Sequence, residues 1–180
     1  MKYFVLMLSV LCFIAMTSTD GPEKYHKKAK EIAQKAFVEL SSNLKKQMQE
    51  KGPIGAIEFC NVHAISLTQK LAESAGVQLQ RVSLKNRNPI NEAQGQAKET
   101  LEKWAQLDIS ELKPMSFDSK KAVEVYLPIV TRELCLKCHG ENISVDLQRE
   151  IKKRYPLDKA KGYQSGQLRG AWKIVFPKVN

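Results

Sequence analysis

The sequence predicts an α+β domain in which helices come first and antiparallel strands follow. Apolar residues at steps of three and four, typical of amphipathic helices, run through residues 24–75. After residue 76, alternating apolar and polar residues indicate half-buried strands. The chain of 180 residues suffices for one domain with its own core, and it shows no internal repeat and no low-complexity tract. We therefore assign residues 20–180 to one domain, with a helical part at about 24–75 and a strand-rich part at about 76–180.

Residues 1–19 have the three parts of an export signal. Lys2 supplies the positive start, residues 3–14 the apolar run, and residues 15–19 a small-residue exit for cleavage. The apolar run is too short for a comfortable membrane span. We expect cleavage near residues 17–20 and an exported, periplasmic protein without a stable membrane span.

Two helices make up the first part of the predicted domain. Residues 24–50 form one apolar stripe, and Gly52-Pro53 interrupts it because proline suits the start of a helix and not its interior. Residues 54–74 form the second helix, which ends at Gly76 in the position usual for a C-terminal glycine. The apolar stripe of this second helix comprises Ile57, Cys60, Ala64, Leu67 and Leu71.

The later elements follow in order. Residues 77–84 alternate as a strand, residues 86–91 form a polar turn, and residues 92–107 are expected to be helical although Gly95 weakens the first turn. Residues 115–131 predict a hairpin. The last predicted elements are a helix at residues 146–153, a polar loop at 155–166 and a strand at 167–176.

Five consecutive residues, Cys135-Leu-Lys-Cys138-His139, have the attachment pattern of a c-type haem. The two thiols add to the two vinyl groups of the porphyrin, and the histidine that follows is placed under the iron as its proximal ligand. A structural zinc site needs two further ligands at suitable spacing, and only His26, His63 and Cys60 are left to supply them. A thiol redox pair normally opens a helix after a strand in a thioredoxin-like pattern, which this sequence lacks. The pattern therefore predicts one covalent haem c, held by Cys135 and Cys138 and ligated by His139.

The spacing of the residues alone does not identify the second axial ligand of the iron. Candidates are Cys60, His63, His26 and Met115. Cys60 and His63 lie one helical turn apart, so a helix facing the haem presents either. The alternative is that Cys60 is a small core residue and His63 an exposed one.

Cysteine count and charge add two constraints. Loss of residues 1–19 removes Cys12 and leaves Cys60 without a cysteine partner in an oxidising compartment. It also lowers the formal net charge from +10 to +9 by removing one lysine. A basic exported protein rarely meets nucleic acid, so we expect an acidic redox partner protein or an anionic membrane face, the alternative being a well-solvated lysine-rich surface.

Four blocks of the sequence resemble a known family. They are Ile57-Glu-Phe-Cys60; Arg81-Val-Ser-Leu-Lys-Asn-Arg87-Asn-Pro-Ile-Asn91; Cys135 to Gly140; and Tyr155 to Tyr163 with Arg169-Gly-Ala171. In this order they are similar to the single-haem c-type cytochromes with a PAS-like fold and cysteine/histidine axial ligation, a family long catalogued as a domain of unknown function. The resemblance covers most of the mature chain.

The resemblance implies a PAS-like antiparallel sheet with long N-terminal helices packed on it. It also implies that His139 is the proximal and Cys60 the distal iron ligand. Arg87 and Arg81 are then candidates to pair with the haem propionates. The alternative is that Arg87 braces the polar turn at Asn88 and Asn91.

Three functions are compatible with these residues. Iron with two protein ligands leaves no open site for substrate, which favours electron transfer or redox signalling without catalysis. The PAS-like fold also suits a haem-based redox or gas sensor that works with a separate partner. A peroxidase-like enzyme needs an open distal face and an acid–base group, for which His63 is the candidate. The sequence alone does not separate the first two, and it leaves the oligomeric state undetermined.

Overall fold

A computed structural model of the protein describes residues 22–178, so the predicted signal peptide and its cleavage region lie outside the described residues. Two 3-10 turns, Pro89–Asn91 and Ile109–Glu111, connect longer elements. The helices and strands of this range are α1 (Pro22–Val62), α2 (Ala64–Ala75), β1 (Gln78–Val82), α3 (Gln96–Trp104), β2 (Met115–Asp118), β3 (Ala122–Val130), α4 (Glu133–His139), α5 (Val145–Arg154) and β4 (Leu168–Pro177).

The strands of the described range form one antiparallel sheet in the order β1-β4-β3-β2. β4 lies inside this sheet, with Ile174 opposite Leu79 of β1 and Val125 of β3. β2 and β3 are the two arms of the predicted hairpin. Long N-terminal helices pack on this antiparallel sheet, so the predicted α+β class is confirmed.

The long helix α1 is divided at Gly52, as the sequence predicts. Gly52 has φ 67° and ψ −170°, values outside the helical region, and Pro53 follows it. Glycine tolerates a positive φ because it has no Cβ, and proline supplies no N–H for a continuous helix. A second interruption, not predicted, falls at His63, where φ is −112°. Within residues 22–178, no helix is both long enough and apolar enough to cross a membrane.

The larger core lies between the helical layer and one face of the sheet. The first segment of α1 contributes small residues such as Ala29, Ala33 and Ala36, which let the helix approach the sheet closely. In β4 every second residue points to this layer, as expected from the period of a strand. The strand side of this core consists of Leu79, Val123, Val125, Leu127, Trp172, Ile174 and Phe176.

Two smaller clusters complete the interior. On the other side of the sheet, α3 packs Ala97, Leu101 and Trp104 against residues that include Tyr126. The third cluster joins the second segment of α1 to α5 and is made of Ile57, Ile143, Leu147, Ile151 and Tyr155, with Cys138 packed against it. This third cluster brings α4 and the second segment of α1 together.

Helix α3 is shorter than predicted because its expected first turn has other hydrogen-bond partners. The N–H of Ala93 donates to the carbonyl of Ser83, and the N–H of Ser83 donates to the carbonyl of Asn91. Gly95 has φ 49°, which ends this extended segment, and the helix begins at Gln96. Contacts to the end of β1 therefore replace one turn of helix.

Candidate functional site

A cavity of about 260 Å³ is lined by α1, the end of β1 and α4. It brings together residues that are far apart in the sequence. Its walls are apolar where Ile57, Ile129 and Trp172 line it. The cavity contains every residue of the predicted haem site: Cys60, Arg81, Arg87, Cys135, Cys138 and His139.

Helix α4 places the two cysteines of the predicted attachment motif on one side of a short helix. Cys135 and Cys138 are three residues apart, so their side chains lie on neighbouring turns of the same face. Gly140 ends the helix, and its N–H donates to the carbonyl of Leu136 at 2.9 Å. A Cβ at position 140 would lie 2.6 Å from that same oxygen, so this close approach requires glycine.

The imidazole of His139 is held in one orientation. Its Nδ1 lies 2.7 Å from the carbonyl oxygen of Ala160, and because a carbonyl can only accept, Nδ1 carries the proton. Burial, with the positive charges of Arg87 and Arg169, holds the pKa of His139 well below its usual range. His139 is therefore a neutral imidazole whose Nε2 keeps its lone pair, which is the state that binds a metal.

Cys60 lies on the second segment of α1 and is half-buried. Burial raises the pKa of its thiol, and the positive charges of Arg81 and Arg87 offset part of this rise. The thiol is therefore protonated at neutral pH until a metal or another cation displaces the proton.

The other three candidates for the distal ligand do not line this cavity. His63 is exposed and its ring lies 5.5 Å from that of Phe59. Met115, on β2, packs with the cluster around α3. His26 lies in the first segment of α1. Among the four candidates, the geometry favours Cys60.

Arg87 makes several hydrogen bonds on the side of the cavity where His139 lies. Its Nε donates to Asp158 Oδ1 at 3.1 Å, and its Nη2 donates to the carbonyls of Cys138 at 2.6 Å and Ala160 at 3.1 Å. The side chains of Arg87 and Asp158 are 9% and 7% exposed. These bonds tie the end of α4 to the loop that holds His139. The alternative role of Arg87, a brace within the turn at Asn88 and Asn91, is replaced by this longer-range one.

Two further arginines line the cavity without a carboxylate partner in residues 22–178. The guanidinium of Arg81 lies 5.9 Å from the ring centre of Trp172. Arg169 donates from Nη1 to Ser83 Oγ at 2.8 Å and to the carbonyl of Lys85 at 3.1 Å. Burial lowers the pKa of both. Arg169 was not predicted as a site residue. A single arginine at the start of a strand gives no pattern from which one could predict the face of the sheet on which it lies.

A family model described as Tll0287-like matches residues 21–177. The chain belongs to the Tll0287-like family. This confirms the family expected from the four sequence blocks, while the axial ligands stay predictions. The cyanobacterial haem protein Tll0287, known from a crystal structure, has the same fold, with a TM-score of 0.64 and 22% sequence identity over 89% of this chain and 98% of that one. Comparison with curated proteins gives no match.

The cavity of this Tll0287-like chain contains one buried polar atom without a partner. Asn86 is 3% exposed, and its Nδ2 donates to the carbonyl of Asn88 at 3.1 Å. Because that partner can only accept, the amide orientation is fixed and Oδ1 is the atom left unsatisfied. An unsatisfied buried acceptor costs about 1–3 kcal/mol. A hydrogen-bond donor entering the cavity would remove that cost.

We expect Asp158→Asn to lower the free energy of unfolding by about 3–5 kcal/mol, because it removes one partner of a buried ion pair and leaves the Arg87 charge uncompensated. Denaturant unfolding followed by circular dichroism measures this. Asp146→Asn is the matched control, since the ion pair of Asp146 with Arg149 is exposed and contributes little. Equal changes in the free energy of unfolding for the two substitutions would show that the buried ion pair does not stabilise the loop that holds His139.

Proposed function

We propose that this protein is an exported monohaem c-type cytochrome whose iron is bound by His139 and Cys60. The observation that carries the proposal is the convergence of both attachment cysteines, His139 and Cys60 on one cavity. Cys60 precedes this attachment motif by 75 residues in the chain. The fold, and not the sequence motif, brings it there.

The residues of the cavity fit a haem c. Cys135 and Cys138 would hold it through thioether bonds, and the neutral His139 has the nitrogen lone pair that a proximal ligand needs. Arg81 would pair with a propionate, because it is a half-buried cation without a carboxylate partner among residues 22–178. When bound, haem supplies one-electron iron chemistry.

Arg87 supports the site differently from the propionate contact that the sequence suggests. Its Nε and Nη2 already bind Asp158 and two backbone carbonyls. Its role in the proposal is to hold the His139 loop in position. Propionate contact by Arg87 would use the remaining nitrogen, Nη1.

Electron transfer or redox signalling suits this site best. Protein ligands on both sides of the iron would leave no position for a substrate. His63, the candidate acid–base group of a peroxidase-like enzyme, is exposed and does not line the cavity. The excess of positive charge, 29 Lys and Arg against 19 Asp and Glu, favours an acidic redox partner.

A haem-based sensor is the second candidate. The observation that favours it is the raised pKa of the Cys60 thiol, because a ligand that readily takes up a proton is readily released. Release would open a position for a diatomic gas. A separate partner would then read the change.

The test is expression with its signal sequence in a host that matures c-type cytochromes. We expect periplasmic protein that starts after residue 17 and has the pyridine haemochrome of a haem with two saturated vinyl groups. Carbon monoxide added to the reduced protein then separates the two candidates, because rapid binding indicates a sensor and no binding indicates electron transfer. Cytoplasmic protein with Met1 retained, or haem with intact vinyl groups, would refute the proposal.

A further inference from the structure

A second cavity, of about 430 Å³, lies beside α3 and contains neither cysteine nor histidine. It is lined by the residues that follow β1, by α3 with the turn after it, and by the start of β4. Its volume is in the range of about 300–1,000 Å³ that small-molecule pockets occupy. Nothing in the proposed cytochrome function uses this cavity.

The lining of the second cavity is mainly apolar. Leu101 and Trp104 are 1% and 2% exposed and form its inner part. Leu84, Leu107 and Ile109 also line it, and they are about 39%, 40% and 45% exposed. Large apolar side chains left in water around one concave surface mark a place where an apolar group binds.

Two cations stand at the same cavity. Lys85 Nζ lies 4.6 Å and Arg169 Cζ 5.1 Å from the ring centre of Tyr163. The hydrogen-bond partners of these two side chains are neutral: Lys85 donates to the carbonyl of Lys161, and Arg169 to Ser83 Oγ and a backbone carbonyl. Neither cation pairs with a carboxylate in residues 22–178. The one carboxylate residue in the lining is Asp108, so the cavity keeps an excess of positive charge.

We propose that the second cavity binds a small carboxylate with an apolar body, such as a medium-chain or aromatic acid. The two cations would take the carboxylate through charge-assisted hydrogen bonds. The exposed leucine and isoleucine side chains would cover the apolar body. A single negative charge suits this lining better than a phosphate, because most of the surface is apolar and two cations face one acidic residue.

A ligand bound in the second cavity would change the electrostatic environment of the first cavity. This consequence rests on the proposed function. Ser83, Arg169 and Gly170 line both cavities. A Cβ at Gly170 would collide with the carbonyl oxygen of Val82, so no side chain fits between the two spaces at this point. A carboxylate bound to Arg169 would compensate a charge that also faces the haem site. It would favour the ferric state and lower the reduction potential.

Isothermal titration calorimetry of the purified, haem-loaded protein with octanoate tests the site. We expect octanoate to bind about tenfold or more tightly than octanamide, since one charge-assisted interaction is lost in the amide. Lys85→Gln and Leu107→Asp should each weaken octanoate binding about tenfold. Val145→Asp is the matched control, because Val145 is 71% exposed and does not line the cavity. The affinity of this variant for octanoate should equal that of the wild type.

Several results would overturn the proposal: no binding at about 10 mM octanoate, equal affinity for octanoate and octanamide, or no effect of both lining substitutions. A redox titration with and without saturating octanoate tests the consequence, and an unchanged potential would show that the two sites are independent. Failure of the cytochrome proposal is seen separately as absence of covalent haem. Calorimetry on the chain as purified still decides the second site in that case.

Discussion

We expect Cys135→Ala and Cys138→Ala each to leave the denatured protein with much less haem on a gel, and the double substitution to leave none. Thioether bonds are covalent, so haem attached through them survives unfolding, whereas a ligand bond from His139 does not. The measurement is haem staining of denatured protein, normalised to the total protein in each lane.

Cys60→Ala is the matched control for this result. Cys60 also lines the cavity, but in our proposal it binds iron and not the porphyrin, so this variant keeps its haem on the gel. Complete extraction of haem from the wild type by acidified organic solvent would disprove covalent attachment.

If Cys60 is the distal ligand as proposed, we expect Cys60→Ala to raise the reduction potential and to abolish the low-spin thiolate signal in electron paramagnetic resonance. A thiolate donates electron density strongly and stabilises ferric iron, so its removal favours the reduced state. The vacated position also lets added imidazole bind to the oxidised protein. A redox titration with optical detection, together with the resonance spectrum, measures these changes.

The pH dependence of the wild-type potential tests the same ligand. Burial raises the pKa of the free Cys60 thiol, so in the sensor candidate, where Cys60 leaves the iron on reduction, the released thiolate would take up a proton over a wide pH range. The proton enters on the reduced side of the equilibrium. The potential therefore falls as pH rises, by about 59 mV per pH unit for one proton and one electron. The Cys60→Ala variant loses this slope.

His63→Ala is the control for the distal ligand. Because His63 is exposed and does not line the cavity, its removal leaves the potential, the resonance signal and the pH slope unchanged. If His63→Ala produces all three changes and Cys60→Ala produces none, the distal ligand is His63 and the family resemblance misassigns it.

Local patterns in the sequence predicted most of the fold. The apolar stripe of residues 24–50, the interruption at Gly52 and the end of α2 at Gly76 all depend on neighbouring residues, and the structure has each of them. The start of α3 was predicted four residues too early. The reason is that Ala93 donates to Ser83, a partner ten residues away that no helical pattern encodes.

The candidate site shows the same division between local and distant contacts. The attachment motif is readable because its chemistry fixes its spacing. The partner of Arg87 is not, since Asp158 lies 71 residues further along the chain. Arg169 was missed for a similar reason: its position beside Ser83 and Tyr163 follows from how β1 and β4 pair.

The placement of the proposed ligands along the chain also bears on the order in which the proposed cytochrome would assemble. Cys135, Cys138 and His139 lie within five consecutive positions, so in the proposed cytochrome they could receive haem while the chain is still unfolded. Cys60 reaches the same cavity only when α1 has packed against α5 and closed a long loop, a slower event than local helix formation. In the proposed cytochrome, cofactor attachment and distal ligation would thus be separate stages of maturation. The spectrum of the second stage would then report whether a molecule has finished folding.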